Sequence, residues 1–163
     1  MMNILLVEDE PLILRSLAGT IKSFQQNYQI VGSAYNGQEA IDLLSKKGNQ
    51  IDVVITDIHI PVIDGLELIE HINQHFPHIL CMILTGFSDF SYAKRAIQLR
   101  VFAYLLKPID ENEIQEHLKK AYEQKCLEGK MCIRDSNKTQ HSRQIKQRSK
   151  KALSLYRVIQ NQR

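Results

Sequence analysis

Residues 52–65 read DVVITDIHIPVIDG, and the fold follows from how this run is interpreted. Val53, Val54 and Ile55 make a short β-branched stretch of the kind buried on both faces of a sheet, and it gives way to a carboxylate, Asp57. A loop containing Pro61 follows, and Asp64 with Gly65 then opens a helical pattern, which is a capping task and not a chemical one.

Four more apolar runs repeat the theme, at residues 3–7, 30–34, 80–85 and 102–106, beside the run at 52–56. The stretches between them carry the other period: Leu14, Leu17, Ala18, Ile21 and Phe24 share one helical face, as do Ile114, Leu118 and Ala121. Pro11 suits a first helical turn, and Asn36 with Glu39 and Asp110 with Glu113 read as cap and reciprocal acceptor. Strand and helix alternating five times predicts an α/β domain with right-handed crossovers, a parallel sheet and helices on both of its faces. Ligands of such sheets bind beyond the carboxyl ends of the strands.

Polar groups collect at those ends. Glu8 and Asp9 follow the first run, Asp57 the third, Thr85 closes the fourth and Lys107 follows the fifth. Three carboxylates on one rim repel unless a cation lies among them, and an all-oxygen donor set with room for water suits Mg²⁺. A carboxylate can attack phosphorus to give an acyl phosphate, whose oxygens then need a cation and fixed donors. Lys107 offers the cation and Thr85 a hydroxyl.

The segments VEDEP (7–11), TDIHIPVIDG (56–65), LTGFSDF (84–90) and YLLKPID (104–110) stand in the order and spacing of bacterial response-regulator receivers, so residues 3 to about 125 resemble that family. The resemblance implies the flavodoxin-like strand order 2-1-3-4-5, Asp57 as phosphoacceptor and a histidine kinase as donor. It also implies Mg²⁺ held by Glu8, Asp9, Asp57 and the His59 main-chain carbonyl, with Lys107 on the phosphoryl oxygens and a cis Lys107–Pro108 bond. Thr85 and Tyr104 would form the switch, the hydroxyl moving toward the phosphate and the ring turning inward behind it. Glu8 departs from the pattern, since many relatives carry Asp there; the longer side chain can reach a metal through water.

Each residue also has a plainer reading. Asp57 alone would be a turn carboxylate, and Tyr104 a half-buried strand aromatic. His71, His75 and His78 could be imagined as zinc ligands, the first two four apart on a helix, but no acid follows His71 as in zinc protease helices, and Asn73 and Gln74 mark a solvated face. A haloacid-dehalogenase-like hydrolase also uses an Asp nucleophile and Mg²⁺. There the nucleophile follows the first strand with a second Asp two residues on, whereas position 59 here is His. The expectation is a switch altered by its own reaction, not an enzyme.

The run GFSDFSYAKRAI (86–97) and residues 98–110 are most similar to receivers joined to an AraC-type DNA-binding output. A transcriptional output absent from this chain, and a phosphorylation-dependent homodimer, follow from that likeness. The alternative is a stand-alone receiver that relays phosphate or binds a partner protein. DNA would be met only through the output domain.

Charge divides the chain in two. Residues 1–129 hold 11 Lys and Arg against 17 Asp and Glu, a net −6, while residues 130–163 hold 10 against 1, a net +9. The expected organisation is a receiver over 1–125 and a basic linker or tail over 126–163. Met131–Ser136, MCIRDS, matches the translation of a transposon end used to prepare sequencing libraries, so the natural frame is expected to be lost near residue 130. No apolar stretch nears the roughly 18 residues of a membrane span. An odd count of three cysteines, Cys81, Cys126 and Cys132, suits neither a disulfide framework nor a zinc site. A cytoplasmic setting is expected.

Overall fold

The computed structural model describes residues 1–24, 27–86 and 90–129. The reading of residues 130–163, MCIRDS included, lies outside them. Five strands, β1 (Met2–Val7), β2 (Tyr28–Ala34), β3 (Val53–Thr56), β4 (Leu80–Thr85) and β5 (Ala103–Leu106), form one parallel sheet in the order β2-β1-β3-β4-β5. The helices are α1 (Pro11–Ser23), α2 (Gly37–Lys47), α3 (Gly65–His75), α4 (Phe90–Gln98) and α5 (Glu111–Leu127). This is the flavodoxin-like order read from the sequence. The last helix passes residue 125 and ends at Leu127, so the expected domain limit falls within it.

Successive strand residues face opposite sides, and each side finds its own helices. Met2, Ile4, Leu6, Val53, Ile55, Met82 and Leu84 pack on Leu14, Leu17 and Ile21 of α1 and on Ile114, Leu118 and Ala121 of α5. Leu5, Val7, Val54, Cys81 and Ile83 meet Leu44 of α2, Leu68, Ile69 and Ile72 of α3, and Ala96 of α4. The edge strand β2 departs from the expectation of burial on both faces: of its residues only Ala34 is fully buried, because no strand lies beyond it.

Helix starts follow side-chain caps. Asp64 accepts from the Glu67 amide and Glu67 accepts from the Asp64 amide, a complete capping box. Asp110 accepts from the amides of Asn112 and Glu113. Asn36 accepts from the Glu39 amide at 2.8 Å, but Glu39 returns the bond to the Tyr35 amide and the Asn36 side chain, so the reciprocity is displaced by one residue.

Candidate functional site: a carboxylate rim with one ammonium

Three residues singled out from the sequence stand one position beyond their strands, and each ties its amide to the end of a neighbour. Glu8 N donates to Ala34 O at 3.1 Å, Asp57 N to Val7 O at 3.1 Å, and Lys107 N to Thr85 O at 2.8 Å. In every case the acceptor is the last residue of the adjoining strand. The sheet ladder thus extends by one rung, and that rung fixes where three charged side chains begin.

Those side chains converge. The Lys107 ammonium lies 2.7 Å from Glu8 Oε2 and 2.7 Å from Asp57 Oδ2, joining residues 99 and 50 positions apart. Glu8 is 2% exposed and Asp57 8%. Asp57 Oδ1 accepts from the Ile58 amide at 2.5 Å and the His59 amide at 3.4 Å, which leaves Oδ2 toward the ammonium. Burial pushes the Glu8 carboxyl above its usual range, and the neighbouring Asp57 charge adds to this against the pull of Lys107. Burial opposes the Lys107 ammonium, but its bonds to Asp57 and Glu8 and their charges outweigh that and hold its pKa up.

The other expected members are placed differently. Asp9 is exposed beside Glu8. Thr85 closes β4 and is fully buried. Tyr104, in β5 opposite Ile83, is half-buried and packs against the core on the α3 side. The Lys107–Pro108 bond is cis.

Among the described residues no three His, Cys, Asp or Glu side chains stand ready to hold a metal, and Lys107 bridges Glu8 and Asp57. The donor chemistry nevertheless fits Mg²⁺. The donors are hard oxygens, and three carboxylates against one ammonium leave two negative charges, the charge a divalent ion balances.

Sequence reading assigned Gly65 only a capping task, yet it also lets α3 close on the residues that follow β3. Its amide donates to Ile58 O at 2.8 Å, and a Cβ there would collide with the Asp57 carbonyl oxygen and the Ile58 backbone. Between them the loop carries Val62, exposed and at φ 73°, a left-handed conformation that costs a β-branched residue about 1–2 kcal/mol. Tyr92 of α4 was also not singled out; its ring meets the His59 ring edge-on, with centroids 5.1 Å apart. No local sequence signal marks a contact between residues so far apart in the chain.

Comparison with known proteins agrees with this architecture. The response regulator receiver domain family model matches residues 4–119. An uncharacterized transcriptional regulatory protein of Bacillus subtilis (strain 168), YesN, is 41% identical over 114 residues, covering 70% of this chain and 30% of that protein. The transcriptional regulatory protein BtsR of Escherichia coli (strain K12) is 37% identical over 119 residues, covering 72% of this chain and 47% of that protein. The chain therefore spans less than half the length of these two curated relatives. Among solved structures, the receiver domain of AraT, a response regulator from Geobacillus stearothermophilus, superposes with a TM-score of 0.71 at 32% identity, covering 78% of this chain and 98% of that one. Sheet order and these matches agree, and the chain belongs to the response regulator receiver domain family.

Proposed function

We propose that this chain is the phosphoacceptor receiver of a two-component phosphorelay, taking a phosphoryl group from a histidine kinase onto Asp57. The observation that carries the reading is the single ammonium of Lys107 shared between the buried carboxylates of Asp57 and Glu8. Asp57 Oδ1 is held by two main-chain amides, so Oδ2 is the oxygen oriented to attack phosphorus while the phosphorus–nitrogen bond of the donor breaks. Lys107 then moves with the charge onto the phosphoryl oxygens. Glu8, Asp9, Asp57 and the His59 main-chain carbonyl would hold Mg²⁺, which supplies positive charge to the transferring oxygens when bound.

The new dianion draws the Thr85 hydroxyl and lets the Tyr104 ring turn inward, which alters the surface of α4 and β5. The chain is changed by its own reaction and acts as a switch, not an enzyme. Residues 1–125 form the receiver and 126–163 a basic linker or tail. A phosphorylation-dependent homodimer and a DNA-binding output beyond the receiver complete the proposed regulator. Among the described residues no helix is long and apolar enough to cross a membrane, and the proposed setting is the cytoplasm.

Incubation with acetyl phosphate and Mg²⁺ tests the reading by intact mass. The wild-type chain gains one phosphoryl group, chelation of the metal stops the gain, and Asp57→Asn gains none. Equal labelling of Asp57→Asn would overturn it.

A further inference from the structure

Helix α4 is lightly anchored: Ala96 is its sole fully buried residue, while Phe90 and Ile97 are 82% and 76% exposed. Its first turn nevertheless bears on the phosphoacceptor loop. Tyr92, half-buried against the core on the α3 side, presents its ring at 81° to that of His59, with centroids 5.1 Å apart. His59 is an exposed residue of the loop, and its amide is one of the two that hold Asp57 Oδ1. The ring contact therefore joins α4 to the backbone that orients the nucleophile, through one residue and without any covalent path shorter than 33 positions.

We propose that Tyr92 is a positioning residue for phosphoryl transfer: through the edge-on contact with His59 it holds the 57–59 backbone in its reactive setting and couples that setting to the position of α4. The inference rests on the reading of Asp57 as phosphoacceptor. An edge-to-face ring pair of this kind shifts an equilibrium by roughly three- to tenfold. Coupling is reciprocal in binding terms: whatever moves the first turn of α4 changes the loop, and whatever occupies the loop changes α4. The ring carries the contact, so the hydroxyl of Tyr92 is dispensable.

The 163-residue chain and its variants Tyr92→Phe, Tyr92→Leu, His59→Leu and Tyr92→Leu/His59→Leu are compared for the first-order rate of labelling by acetyl phosphate with Mg²⁺. Amide exchange at Ile58 and His59 is followed in the unlabelled proteins. Tyr92→Leu is expected to slow labelling about three- to tenfold and to speed exchange at both amides by a similar factor, with Tyr92→Phe restoring wild-type behaviour. The double variant is expected to be no slower than the slower single one, because both remove the same contact. Tyr92→Leu matching wild type in both readouts, a Tyr92→Phe chain as slow as Tyr92→Leu, or additive single effects would overturn the inference and leave Asp57 as phosphoacceptor untouched. A wild-type chain that takes no label would overturn both.

Discussion

Lys107 sets the electrical balance of the rim. Removing it leaves Glu8 and Asp57 buried side by side without a counter-charge, and breaking a buried pair of this kind costs about 3–5 kcal/mol. Lys107→Met is expected to lose about 3 kcal/mol in urea unfolding with chelator present, and to recover part of it when Mg²⁺ is added. An unchanged midpoint in chelator would show that the carboxylates do not depend on this ammonium. Cys81 gives a second test at this scale. Burial pushes its thiol from 9.0 to about 12, against the opposing pull of the Lys125 charge. Between those values the folded chain keeps the proton and the unfolded chain sheds it, so this contribution is intact below pH 9 and is lost as pH rises toward 12. The slope is about 1.4 kcal/mol per pH unit. Cys81→Ala is expected to flatten the alkaline fall measured by denaturant titration. The identities of Glu8, Asp57 and Lys107 were legible because charge at a strand end is conspicuous in sequence. Their bonding was not: the sequence does not say that one ammonium bridges two carboxylates while Asp9 remains exposed.

The elements were legible where one period dominated. Leu14, Leu17 and Ile21, and Ile114, Leu118 and Ala121, are buried as their spacing implies. The next position on the α5 face is Lys125, which a period of apolar residues would leave outside the core. It is fully buried, because its ammonium donates to the His78 carbonyl just before β4 and so closes the end of the α5 face on the sheet. That partner lies 47 positions away and has no trace in the local pattern. Gly65 poses the same difficulty: a glycine at the first position of a helix reads as ordinary until the Asp57 carbonyl is placed against it. Gly65→Ala is expected to cost about 3 kcal/mol by thermal or chemical unfolding, since backbone on both sides resists the added carbon, and to depress labelling of Asp57. Gly19→Ala supplies the control. It sits exposed in α1 with nothing within 4 Å of the added carbon, and is expected to gain about 1 kcal/mol from helix propensity. Equal effects of the two substitutions would remove the case for close approach at Gly65.

At the scale of the molecule, net charge divides the chain into −6 over residues 1–129 and +9 over residues 130–163. Among the described residues both hydrophobic clusters lie within residues 2–126, and the last helix ends at Leu127. A chain of residues 1–129 is expected to keep its circular dichroism spectrum, its cooperative unfolding and its rate of labelling by acetyl phosphate. It should elute from anion-exchange resin later than the full chain, given net charges of −6 and +3. Loss of cooperative unfolding on truncation would show that the basic segment belongs to the domain. The added rung at the carboxyl ends of the strands has a temporal consequence as well. Synthesis lays down Glu8 and Asp57 first and the ammonium they share only after β5, the edge strand added last. A nascent chain folded only through β4 would therefore carry two closely spaced negative charges without a counter-ion, and the arrival of Lys107 lowers the negative charge of the rim as the sheet is completed.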